Sequence, residues 1–380
     1  MPAIAIHKHH FMHPQTPLPA SSLRRALSCV LLLFLLSLPL PLKSQTTAPT
    51  IPFTMQIQWD VFKRHFIDSG RVIDTVNQNI THSEGQGYGM LLATYFQDPA
   101  AFESIWNWTQ KNLQVRESDR LFAWSWGIPS SETETKAEPK VLDPNNASDG
   151  DILIAWALYR ASRMWGNPAW TEAAHAIIKD LRQHMIVVGF DGRLILLPGQ
   201  VGFVEKNSVI TNPSYWVFPA LQEFASQPVD SEVWQRLIND GIKWLNDWQF
   251  GKFNLPPDWV EIGKPITLPE RYEPVFGYNA IRIPLYLQWA GLQNQTPALN
   301  QALRASWTQF TEANLPSKIH LKTHEGHDPA LPGIRAIYEL SLNTGRERDP
   351  DQWIVDPADG YYSAALLLLV RIVHQQSLVP

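Results

Sequence analysis

Two stretches of the chain are apolar on nearly every side: Ile152 to Trp165, where Arg160, Ser162 and Arg163 are the strongly polar interruptions, and Tyr361 to Leu369. A helix without a polar face has to be enclosed by other helices. Asp230 to Trp248 is patterned differently. Its Val233, Trp234, Leu237, Ile238, Ile242, Trp244, Leu245 and Trp248 form one wide stripe, as expected of an outer helix packed on an inner layer.

The remaining periodic segments extend this alternation. Helices are predicted over Trp59–Asp68, Gly87–Phe96, Pro99–Leu113, Gly150–Trp165, Pro168–Met185, Ser214–Ala225, Asp230–Trp248, Ala280–Ala290, Pro297–Ala313, Ile334–Leu342 and Tyr361–His374. Three starts share one device: Asp98-Pro99, Asn167-Pro168 and Thr296-Pro297 place a capping side chain before a proline at the first helical position. No short repeat and no low-complexity linker follows Thr54. The pattern therefore predicts one all-α domain, residues 55–380, closed as a two-layer helical barrel. Long loops, Gln114–Asn146, Val187–Pro213 and Phe250–Asn279, are expected to carry function and a few short strands, for example within Gly192–Gly199. The first loop is expected to be mobile near Ser130–Pro139.

At 380 residues and 44% hydrophobic, the chain has ample material for a deep core. Its net charge of -5 is dispersed and leaves no basic footprint, so no nucleic-acid partner is expected. Met1 to about Gln45 stands apart. Arg24-Arg25 precede the apolar run Ala26–Leu38, which is short for a membrane span and is followed by Pro39 and Pro41. This reads as a secretory signal peptide, with a retained N-terminal anchor as the alternative, followed by a linker over Thr46–Thr54. The expected location is secreted or periplasmic, with no stable membrane span after processing. The single cysteine, Cys29, lies in that leader, so disulfides and thiol chemistry are not expected of the mature chain.

Acidic chemistry is concentrated at the mouths of two apolar helices. Asn146-Ala147-Ser148-Asp149-Gly150-Asp151 opens the first, and capping by Ser148 or Asp149, with Asp151 in the first turn, accounts for these residues without catalysis. A second stretch, Ser83-Glu84-Gly85-Gln86-Gly87-Tyr88-Gly89, precedes Met90-Leu91-Leu92-Ala93. Its three glycines give up helix propensity, which is tolerated where backbone bends sharply or approaches a ligand closely. Two acids at two core-helix mouths are what glycoside hydrolysis needs: one carboxyl protonates the leaving oxygen, and the other activates water or attacks. Sixteen tryptophans add flat faces that stack on sugar rings, although most are expected in the core.

The stretch Ala147-Ser148-Asp149-Gly150-Asp151-Ile152-Leu153-Ile154-Ala155 resembles the signature of glycoside hydrolase family 8, and Ser83 to Gly89 is similar to that family's general-acid segment. Gly70-Arg71-Val72-Ile73-Asp74, Phe122-Ala123-Trp124, Asn212-Pro213-Ser214-Tyr215, Pro257-Asp258-Trp259-Val260 and Gly360-Tyr361-Tyr362 resemble, in order, motifs of the endoglucanases that accompany bacterial cellulose synthases. The likeness spans about Trp59 to Arg371. It implies an (α/α)6 barrel with a cleft across the helix ends, cutting β-1,4-linked glucan with inversion. A cellulose synthase is the expected neighbour, and no cofactor is expected. Carried over position by position, Glu84 is the general acid, and Asp149 holds the sugar at the cleavage subsite or takes part directly.

The family's base is an aspartate before Ala-x-Arg, whereas Tyr278-Asn279-Ala280-Ile281-Arg282 has an amide there. An amide does not take a proton from water at useful rates. Three readings stay open. A loop carboxylate (Asp258, Glu261, Glu270 or Glu273) is the base, as in the family's chitosanase-like subgroup, which makes chitosan an alternative substrate. Or Asp149 is the base while Asn279 orients the water. Or the protein binds glucan with weak or no catalysis.

Sugar contacts are expected from Tyr88, Trp124, Trp126, Tyr215 and Tyr362, with core packing as the alternative for each. Arg282 is a candidate for bonding substrate hydroxyls or holding Asp149 ionised, unless it is a surface arginine. His320, His324, Glu325 and His327 are close in sequence, but Pro316, Gly326, Pro329 and Pro332 break helical ligand spacing, so no metal is expected. No nucleotide-binding glycine loop follows a strand, and there is no G-x-S-x-G elbow.

Overall fold

The computed structural model describes residues 51–129, 138–311, 314–342 and 352–377. The expected leader, most of the expected linker and 130–137 of the first loop lie outside the described residues. Within them the chain forms helices α1 Phe53–Phe66, α2 Ser83–Tyr95, α3 Pro99–Asn112, α4 Ser148–Trp165, α5 Pro168–Met185, α6 Phe218–Ala225, α7 Ser231–Asp247, α8 Arg282–Trp289, α9 Pro297–Trp307, α10 Pro332–Leu342 and α11 Gly360–Ser377.

Helices α2, α4, α6, α8, α10 and α11 form an inner ring in which each touches the next, and α11 closes the ring on α2. Helices α1, α3, α5, α7 and α9 lie outside it. This is the (α/α)6 barrel with its alternating layers. Helix α4 is buried continuously from Ser148 to Tyr159, whereas α5 buries one stripe, Trp170, Ala174, Ile177, Ile178, Leu181 and Met185. The difference follows from the absence or presence of a polar face.

Several boundaries differ from the sequence expectation, each for a local reason. Helix α1 begins at Phe53, inside the segment read as linker, and ends at Phe66 where the chain turns into a short hairpin pairing Ile67–Asp68 with Arg71–Val72. Helix α2 starts at Ser83, so its glycines lie inside the helix. A Cβ on Gly87 would stand 2.6 Å from Leu153 Cβ, and one on Gly89 would stand 2.7 Å from Val72 Cγ2. Close packing outweighs about 1 kcal/mol of lost propensity per glycine. Asp98 and Asn167 cap as expected, accepting from the amides of Ala101 at 3.0 Å and Ala169 at 3.1 Å. Thr296 does not cap, because its hydroxyl donates backward to the Gln293 carbonyl at 3.2 Å.

Short antiparallel ribbons decorate the helix ends. Strand β1 (Thr81–His82) pairs with β2 (Ala123–Gly127), which pairs with β3 (Lys140–Asn146) through two register shifts. The strand expected near Gly192–Gly199 is Leu194–Leu196, paired with Ile186–Val188. Among the described residues no helix is long and apolar enough to cross a membrane.

Candidate active site

The N-terminal ends of the six inner helices converge on one cleft of about 580 Å³, whose lining includes Glu84, Asp149, Tyr215, Arg282, Leu331 and Tyr361. Helix N-termini carry partial positive charge, so this end of the barrel favours carboxylates. Glu84 is placed by α2. His82 is the N-cap of that helix, its Nδ1 accepting from the Gly85 amide at 3.1 Å. Gln86 ties the same turn to the hairpin before it: its Oε1 accepts from the Val72 amide at 2.6 Å, and its Nε2 donates to the Gly70 carbonyl at 3.0 Å.

Asp149 is placed by α4, but not as a cap. The N-cap is Ala147, with no side-chain capping bond. Ser148 instead donates to the Leu197 carbonyl at 2.7 Å, which leaves Asp149 facing the cleft. Asp151 points away and holds the neighbouring segments, accepting from the Phe122 amide at 2.9 Å and Asn146 Nδ2 at 2.8 Å. Burial pushes the Asp151 carboxyl up to about 8 despite those two donors.

Arg282, the first residue of α8, joins the two acids. It is 1% exposed, so it is not a surface arginine. Its Nη1 donates to Glu84 Oε2 and to Asp149 Oδ2, the latter at 3.0 Å. Nη2 donates to Ser214 Oγ and Asn279 Oδ1, both at 2.9 Å, and Nε reaches the Asn279 carbonyl at 3.4 Å. All five N–H groups of the guanidinium thus have an acceptor. Ser214 is itself fixed by donating to Asn212 Oδ1 at 2.8 Å, which explains two residues of the Asn212-Pro213-Ser214-Tyr215 motif.

Burial raises the Asp149 carboxyl to about 7; the adjacent Glu84 adds to the rise, and Arg282 opposes it. For His82, burial alone would lower the imidazole, but the Asp74 carboxylate 3.4 Å from Nε2, with Glu84 and Asp149 nearby, outweighs burial and raises it. Two oxygens bonded to one nitrogen lie within about 6 Å of each other. An inverting acid and base stand about 6.5 to 9.5 Å apart, with water between them. In this geometry Glu84 and Asp149 approach more closely than such a pair, which weighs against the reading of Asp149 as base.

Of the other expected site residues, Asn279, Trp124, Tyr215 and Tyr362 also line the cleft. Tyr88 does not: it is wholly buried beneath Arg282, its hydroxyl 2.5 Å from that of Tyr286. Trp126 stacks under the Arg71 guanidinium and edge-on to Trp108, away from the cleft. Asp258 is buried behind Asn279. Glu261 accepts from Ser208 Oγ at 2.6 Å, Glu273 pairs with Lys318 at 3.5 Å, and Glu270 is exposed. The loop carboxylates are thus outside the described lining.

Asp74 and His82 do line the cleft, and sequence reasoning missed both. Their signal was position: one closes the Gly70-Arg71-Val72-Ile73-Asp74 motif and the other precedes the Glu84 stretch. The histidine cluster sits at the hairpin Pro316–His320 and Gly326–Pro329, where His320 Nδ1 accepts from the Lys322 and Thr323 amides. In a second hollow, between Asp191–Arg193 and α7, Asp191 pairs with Arg193 and Asp240 with Lys243.

Two carboxyls at the floor of an aromatic-lined cleft across one end of a helical barrel are the setting of a glycosidase, and the family match shows that class. The chain belongs to the glycosyl hydrolases family 8, whose family model matches residues 33–376. It is 36% identical over 338 residues to a probable endoglucanase of Novacetimonas hansenii, covering 87% of this chain and 94% of that one. It is also 36% identical to an endoglucanase of Cellulomonas uda, over 77% of this chain and 79% of the relative. Its fold is similar to the solved endo-beta-1,4-glucanase of Acetobacter xylinum, with a TM-score of 0.76, 36% identity, and coverage of 87% of this chain and 100% of the other.

Proposed function

We propose that the protein is an endo-acting β-1,4-glucanase, a cellulase that cuts within β-linked glucan chains with inversion. The observation that carries this reading is the pairing of Glu84 with Asp149 on Arg282 at the cleft floor, in a chain whose relatives bear endoglucanase names. Glu84 protonates the leaving glycosidic oxygen. Asp149 holds the sugar at the cleavage subsite. Inversion needs a carboxylate beyond the reach of Arg282, and Asp74 is the described cleft-lining carboxylate left to take the proton from water.

The proposal extends to location and neighbours. The Arg24-Arg25 and Ala26–Leu38 pattern supports export, and the ordered motifs support work beside bacterial cellulose synthesis. Cell fractionation tests the first, and co-purification with the synthase tests the second.

The deciding experiment measures reducing-end release on carboxymethylcellulose and on chitosan by the wild type and by Glu84→Gln. The expected result is release from carboxymethylcellulose that falls by about 10²- to 10⁴-fold in the variant, with its thermal midpoint maintained. Release from chitosan exceeding that from cellulose would move the substrate to the chitosanase reading. Binding to glucan without release would leave a non-catalytic binding protein.

A further inference from the structure

Glu84 sits in the first turn of a helix that is weak at its start, because Gly85, Gly87 and Gly89 follow it and each gives up helix propensity. One ring holds that turn. His82, the N-cap, accepts the Gly85 amide on Nδ1 at 3.1 Å, while its Nε2 stands 3.4 Å from Asp74 Oδ2. The imidazole lies against Gly85, where a Cβ would stand 3.4 Å from Nδ1 and from Cε1. Tyr361 meets it edge-on, with ring centres 5.4 Å apart. These neighbours fix the tautomer: an N–H faces Nδ1 and a carboxylate faces Nε2, so Nδ1 is bare and Nε2 carries the proton.

We propose that His82 is a positioning residue: its neutral imidazole ties the helical turn that carries Glu84 to the Asp74 carboxylate, and protonation of that imidazole releases the turn. The inference rests on the glucanase reading for its activity test but not for its spectroscopic test. A second proton has only Nδ1 to go to. There it confronts the Gly85 N–H, so the cap is lost while the contact with Asp74 becomes an ion pair and strengthens. Acidification thus exchanges one tie for the other, and Glu84 is no longer held in place. A misplacement of about 1 Å at such a group costs about a hundredfold in rate. The charged and titratable groups facing the ring are Asp74 from the segment leading to β1, Glu84 on α2 itself, Asp149 on α4 and Tyr361 on α11, with Arg282 of α8 bonded to both helix acids. The three carboxylates outweigh burial and raise the imidazole, which places the release above the range in which ordinary carboxyls titrate.

The test compares the wild type with His82→Asn and His82→Ala. Asparagine caps a helix and does not titrate, whereas alanine removes cap and tie together. On carboxymethylcellulose the wild-type kcat is expected to fall on the acid side through about pH 6 to 7. His82→Asn should move that limb down by about one pH unit or more, toward the carboxyl range, with KM within about twofold of wild type. His82→Ala should lower kcat at every pH by about tenfold or more. The imidazole nitrogen chemical shifts of His82, assigned by their loss in His82→Asn, need no turnover: they should show a bare Nδ1 and a protonated Nε2 at about pH 8, and a titration above about pH 6.5. An acid limb that His82→Asn leaves where it was overturns the proposal, as does a proton on Nδ1 at about pH 8. A wild type silent on glucan overturns the functional reading alone, since the shifts still decide the tautomer and its titration.

Discussion

Gly150 lies against Ser83 so closely that a Cβ on the glycine would stand 2.3 Å from the serine Oγ and 2.7 Å from the Glu84 amide nitrogen. The two helices that carry the acids therefore meet where Gly150 contributes no side chain. Gly150→Ala is expected to force α2 and α4 apart, with about 1–3 kcal/mol lost from stability and activity reduced by about a hundredfold through misplacement of Glu84 against Asp149. Urea unfolding and initial rates on the same preparation test this; a variant with both unchanged would refute it.

Arg282, itself buried, is the shared cationic partner of Glu84 and Asp149. Replacing it with methionine is expected to cost about 3–5 kcal/mol, because carboxylates are left buried without their partner. Lysine retains one positive charge but not the planar fork that serves Glu84, Asp149, Ser214 and Asn279 together, so Arg282→Lys should remain folded yet nearly inactive. Unfolding curves and kcat for both variants separate the two effects.

The pH dependence of stability has a definite sign. Asp149 and Asp151 are raised to about 7 and about 8, above an unfolded carboxyl near about 4. The folded state therefore holds protons that the unfolded state has lost. Their contribution is fully present below about pH 4 and disappears as pH rises through about 7 and about 8. Asp98, Asp119 and Asp191, lowered in spite of burial by bonds to Lys63, Arg116 and Arg193, act in the opposite sense in more acid solution. The thermal midpoint is expected to fall between pH 5 and pH 8, and Asp151→Asn should flatten the upper part of that fall. A midpoint that rises over this range would contradict the assignment.

If Asp74 takes the proton from water, Asp74→Asn should lower kcat by about 10²- to 10⁴-fold. Azide, which needs no base, should then restore turnover and give the inverted glycosyl azide. Loss without azide rescue would reduce Asp74 to a support for His82.

Trp124 is 37% exposed at the cleft, and its indole is held by an N–H bond to Asp143 Oδ2 at 2.8 Å. Such a fixed face suits stacking on a sugar. Trp124→Ala should raise KM about three- to tenfold while kcat stays close to wild type. A change confined to kcat would argue against a binding role.

Much of this is legible in the residues alone. All-round apolarity marks α4 and α11 as inner helices, and the two acidic stretches single out Glu84 and Asp149. What periodicity does not convey is partnership. Arg282 is 198 residues from Glu84 and 133 from Asp149 in the chain, so its role as their common donor exists only after the ring closes. Tyr88 and Trp126 fall away from the cleft because proximity to a motif says nothing about which way a ring faces: one is four residues along an inner helix, and the other follows the register shifts of β2. The glycines of α2 look costly for a helix in sequence, whereas the closeness of α4 and of Val72 is what they serve.

The Tyr88–Tyr286 contact beneath Arg282 has a bearing on turnover. Both rings are fully buried, and together they back Arg282 with phenols that burial keeps protonated. Glu84 keeps 19% side-chain exposure on the cleft side. If bound glucan covers that face, the proton that recharges the proposed acid returns as the product fragment moves off, and departure of the leaving chain and readiness for the next cut become a single event.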